Sequence, residues 1–72
     1  MIFVNGREVS VTASTTVKAA VIKGMNTDYP EDYYMYKEHS PLILDMKKTM
    51  QSLKVENKDR FWGWFLIAYL VL

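Results

Sequence analysis

The twelve residues from Phe61 to Leu72 carry no charge, and they constrain the fold more than any other stretch of the chain. They read Phe-Trp-Gly-Trp-Phe-Leu-Ile-Ala-Tyr-Leu-Val-Leu. Side chains alternate along a strand, so as a strand this run has two apolar faces. Phe61, Gly63, Phe65, Ile67, Tyr69 and Val71 fall on one side. Trp62, Trp64, Leu66, Ala68, Leu70 and Leu72 fall on the other. A domain built on one sheet uses a single apolar face for its own core. The second face therefore calls for a partner, a cover or a lipid surface. We expect Phe65, Ile67 and Tyr69 to help fill the core. Trp62, Trp64, Leu66, Leu70 and Leu72 are then the contact surface, with the reversed register as the alternative.

Seventy-two residues make one domain at most, near the lower limit for independent folding. Chains of this size often recruit disulfides, metals or oligomerisation. The chain has no cysteine, which removes disulfides and thiolate metal sites and fits a reducing, cytoplasmic setting. One histidine, His39, does not make a zinc site, so no cofactor is expected. Self-association is the remaining staple, and a homodimer through the apolar run is the natural form. A net charge of +1 with interspersed signs does not favour nucleic acid. Met1 to Val4 is too short an apolar stretch for a secretory signal. A membrane-spanning helix takes about 20 apolar residues. The twelve here fall short, so shallow insertion in lipid is the competing reading.

The clearest local signal is Ile2-Phe3-Val4-Asn5-Gly6-Arg7. Asn-Gly suits the tight turn whose two central residues need positive φ, so a β-hairpin is expected, its second strand running from Glu8 to Val11. A helix of about ten residues follows. Ser14 or Thr15 serves as its N-cap and Val17, Ala20 and Val21 form its buried stripe. Lys23 suits the last turn, and Gly24 is the residue just past its end. Pro30 closes a connector. Tyr33 to Lys37 reads as a strand, Glu38 to Pro41 as a turn, and Leu42 to Leu44 as a short strand. Met46, Met50 and Leu53 mark an irregular turn, with the methionines filling the core edge. Glu56 to Asp59 is another turn, and Arg60 opens the terminal strand. The expected fold class is α+β, in the order β-β-α-β-β-β. In this β-grasp layout the first and last strands lie side by side and parallel, and one short helix packs on a mixed sheet.

Several pieces carry a family resemblance. Phe3-Val4-Asn5-Gly6-Arg7-Glu8-Val9 resembles the opening hairpin of bacterial ubiquitin-like proteins of the multiubiquitin type. Thr16 to Ile22 sits where that family places its helix. Asp32-Tyr33-Tyr34-Met35-Tyr36 is similar to its third strand. Leu53-Lys54-Val55-Glu56-Asn57-Lys58-Asp59-Arg60-Phe61 is similar to the approach to its last strand. The resemblance implies a modifier or adaptor rather than an enzyme, with an activating and a conjugating enzyme as partners. Such modifiers end in a slim, flexible glycine tail that threads a narrow channel. Tyr69-Leu70-Val71-Leu72 departs from that pattern and argues against conjugation through Leu72.

The remaining chemistry is sparse. Tyr29, Tyr33, Tyr34 and Tyr36 stand near Asp28, Glu31 and Asp32, acids that would repel phosphate. Cross-strand aromatic packing is thus favoured over RNA stacking, and the acids lack the spacing of a calcium loop. His39 has neither a nucleophile nor an orienting partner in sequence reach, and reads as a solvated turn residue. No catalytic residues are expected. The chain reads as a protein-binding module.

Overall fold

A computed structural model of the chain describes residues 1–66. The Asn-Gly pair turns the chain as its chemistry requires, with φ of 51° at Asn5 and 81° at Gly6. It joins β1 (Ile2–Val4) to β2 (Arg7–Val9), which pair antiparallel with Ile2 opposite Val9 and Val4 opposite Arg7. The second strand is shorter than its alternation suggested. Val11 lies beyond it but still packs on the core.

The helix, α1 (Val17–Met25), is capped by Thr16 rather than by the expected Ser14 or Thr15; the Thr16 Oγ1 accepts from the Ala19 N–H at 3.1 Å. Two more first-turn donors find carbonyls in a neighbouring loop: Val17 donates to Lys48 at 2.8 Å and Lys18 to Met46 at 3.0 Å. These bonds satisfy groups that a helix start leaves unpaired. The stripe of Val17, Ala20 and Val21 is fully buried, as the spacing predicts. The far end differs from expectation. Gly24 stays inside the helix, and Asn26 takes the left-handed position at φ 52°. Space explains this, because a Cβ on Gly24 would stand 2.7 Å from the side chain of Val4. The missing side chain is used for contact between helix and sheet, not for the cap.

A single 3-10 turn, Pro30–Asp32, leads into β3 (Tyr33–Lys37), and β4 (Arg60–Phe65) completes the sheet. The strand order is β2-β1-β4-β3. β1 and β4 run parallel, with Val4 beside Phe61, and β3 pairs antiparallel with β4. This is an α+β fold: a mixed four-stranded sheet with one helix on it, in the β-grasp layout. The expected short strand at Leu42–Leu44 reduces to one bridge, Ile43 to Tyr36, plus a bond from the Leu44 N–H to Met35 O at 2.9 Å. Pro41 precedes it, and at Asp45 a turn begins, its Oδ1 accepting from the Lys47 N–H at 2.9 Å. Too few residues remain between them to build a ladder.

The core lies between α1 and the sheet. It holds Ile2, Val4, Val9, Val17, Ala20, Val21, Met35, Met50 and Phe61. Met46 and Leu53 pack at its margin. Phe65 does not join it and is 54% exposed. It lies on the helix side of the sheet but stacks on Tyr33, with ring centroids 4.6 Å apart. Ile67 and Tyr69, also expected in the core, lie outside the described residues.

Candidate protein-interaction surface

Strand pleating assigns every other residue to the face away from the helix. On β4 these are Arg60, Trp62 and Trp64, because Phe61 is buried against the helix and Gly63 lies over Met25. On β3 they are Tyr34 and Tyr36. The register sets Tyr36 directly opposite Trp62 and Tyr34 directly opposite Trp64. Such pairs touch across strands. The Trp64 indole N–H reaches the Tyr36 hydroxyl at 3.5 Å, and the Tyr34 and Tyr36 rings are 6.3 Å apart and nearly parallel. Ile43 extends the same row, since its bridge puts it beside Tyr36.

The other end of this face is charged. Phe3 lies beside Arg60 in the parallel ladder, and the guanidinium sits 5.5 Å above the Phe3 ring. Cation–π attraction of this kind contributes about 0.5–1 kcal/mol at exposed sites. Arg60 also approaches Glu38 at 4.0 Å, and Glu8 stands opposite Phe3 in the hairpin. The face thus grades from a row of mixed charge to two rows of aromatic rings. Trp62 is half-buried by its neighbours, while Trp64 is 48% exposed.

Trp62 and Trp64 of the expected contact set therefore stand together on the sheet face opposite the helix, which no other element among the described residues covers. Leu66 follows the end of β4 and is exposed, and Leu70 and Leu72 lie outside the described residues. Tyr34, Tyr36 and Phe3 were not assigned to this surface from the sequence. The alternation Tyr34-x-Tyr36 matches Trp62-x-Trp64, and pairing the two segments antiparallel would have found them. Tyr29 stands apart, exposed in the connector.

The surface owes its position to Asn5. Its side chain behaves as an added peptide group: Nδ2 donates to Gly63 O at 2.9 Å, and Oδ1 accepts from the Gly63 N–H at 2.9 Å. The Asn5 backbone N–H also donates to Phe61 O at 2.9 Å. The turn residue thus prolongs the β1–β4 ladder beyond the last residue of β1.

Elsewhere, His39 is an exposed turn residue at φ 67°, with Nε2 3.8 Å from Glu38. No group of three or more His, Cys, Asp or Glu side chains converges among the described residues. Among the same residues, no helix is long and apolar enough to cross a membrane. A shallow concavity of about 430 Å³ lies away from the aromatic face, between Ile2, Val11, Met50 and Val55. A scan of the chain against family models finds no match, and a search of curated proteins finds no similar sequence.

Proposed function

We propose that this chain is a small protein–protein interaction module that works through the sheet face opposite its helix. The observation that carries the reading is the pairing of Trp62 with Tyr36 and Trp64 with Tyr34 on that face. Large aromatic anchors ringed by polar groups are what interface hot spots consist of. Arg60, Glu38 and Glu8 supply the polar margin.

The partner of this reading is a second copy of the chain, because the core is small and the face carries both signs of charge. Two such sheets would stack about 10 Å apart around a two-fold axis. Each large side chain removed from water contributes roughly 1.5–3 kcal/mol before the costs of association. Light scattering tests this directly. The wild type is expected to be a dimer at high micromolar concentration and Trp64→Glu a monomer. A monomeric wild type overturns the dimer. Co-flotation with liposomes would replace it with lipid insertion of the segment beginning at Phe61.

The β-grasp strand order and the resemblance to bacterial ubiquitin-like proteins support a narrower version, a cytoplasmic modifier or its non-conjugated relative. An activating and a conjugating enzyme are further partners under that version. Incubation with extract of the host should then yield covalent ladders on a denaturing gel. Their absence leaves the non-covalent role alone.

A further inference from the structure

The turn that starts the fold carries a chemical liability as well as a structural role. Asn5 is followed by Gly6, whose backbone nitrogen has no neighbouring side chain to shield it, and both residues are exposed. The same Asn5 carboxamide holds both polar groups of Gly63, each at 2.9 Å. We propose that Asn5 is a site of spontaneous deamidation, and that its conversion releases β4 at Gly63.

The chemistry needs no cofactor or oxidant. The Gly6 nitrogen attacks Asn5 Cγ. A bond forms between them, the Cγ–Nδ2 bond breaks, and Nδ2 departs as ammonia with the proton from Gly6. Water then adds across one of the two imide C–N bonds and leaves an aspartyl or isoaspartyl residue. In either product a carboxylate, which only accepts hydrogen bonds, replaces a carboxamide that also donated. The bond to Gly63 O is lost, and two oxygens face one another. The isoaspartyl product also lengthens the backbone of a turn whose positive φ values at both central residues set the hairpin register.

The fold controls the rate. Ring closure requires the carboxamide to swing onto Gly6, so its contacts with Gly63 must break first. Conversion in the native protein therefore proceeds from a locally opened state. The consequence falls on Trp62 and Trp64, which flank Gly63. The proposal holds whether or not that face has a partner.

Peptide mapping by mass spectrometry after incubation at mildly alkaline pH tests the site. In urea, Asn5 is expected to convert ahead of Asn26 and Asn57, which precede Thr27 and Lys58. In native buffer Asn5 should convert roughly tenfold more slowly, or slower still. Conversion of Asn5 no faster than Asn26 and Asn57 in urea overturns the site. Equal rates in native buffer and urea overturn the protective contact. Amide hydrogen exchange tests the release. In Asn5→Asp the carboxylate can still accept from the Gly63 N–H, so that amide loses protection only if repulsion at Gly63 O opens the strand; a roughly tenfold loss is expected while Val21 keeps its own. Asn5→Gly, which keeps the turn and removes the carboxamide, should give the same loss. Unchanged protection at Gly63 in both variants overturns the proposed release.

Discussion

A methyl group on Gly63 would overlap the terminal methyl of Met25 and stand 3.2 Å from Tyr34 O. The position is glycine because the end of the helix rests on the backbone there. Gly63→Ala should cost roughly 1–3 kcal/mol in denaturant unfolding, the usual range for overfilling a packed site. The obstacle on the helix side is the flexible tip of one side chain. In a Met25→Ala background the same substitution should therefore cost at least about 1 kcal/mol less, read as the coupling term of a double-mutant cycle. Additive effects would show that the strain comes from Tyr34 instead. Gly24 offers a second comparison. Alanine normally gains about 1 kcal/mol over glycine inside a helix. Gly24→Ala should instead destabilise, because the new Cβ meets Val4 at 2.7 Å.

Among the elements, α1 depends most on its beginning. Thr16 accepts from Ala19, and Lys48 and Met46 accept from the next two donors. Thr16→Ala should lower stability by about 1 kcal/mol, measured as a shifted urea midpoint with an unchanged slope. Most elements were legible in the sequence where local chemistry decides. Asn5-Gly6 specified the hairpin, the Val17-Ala20-Val21 spacing gave the buried stripe, and Tyr33 to Lys37 has the bounds its composition suggested. Readings that depend on distant geometry were not legible. Phe65 has the parity of a core residue, yet it is exposed and stacks on Tyr33. Gly24 resembles a helix terminator until Val4 is known to lie against it. The aromatic face was half visible: the two tryptophans were named, but the tyrosines that complete it needed the β3–β4 register.

At the scale of the whole molecule, Phe61 joins the parts. It is buried, lies beside Val4 in the parallel ladder and opposite Lys37 on β3, and its carbonyl accepts from Asn5. Phe61→Ala should cost about 3–5 kcal/mol, a large share of the total for a domain this small. Thermal unfolding by circular dichroism would register it as a large fall in Tm or as loss of the transition. Surface ion pairs matter far less. Lys37 and Asp59 meet at 3.2 Å but are partly exposed, and such a pair contributes up to about 1 kcal/mol. The parallel contact between β1 and β4 joins positions as far apart as Asn5 and Gly63, which are separated by 58 residues. Synthesis on the ribosome delivers them in that order. The hairpin and helix leave the ribosome with an empty slot where β4 belongs, and the sheet cannot close until Phe65 has cleared the exit tunnel.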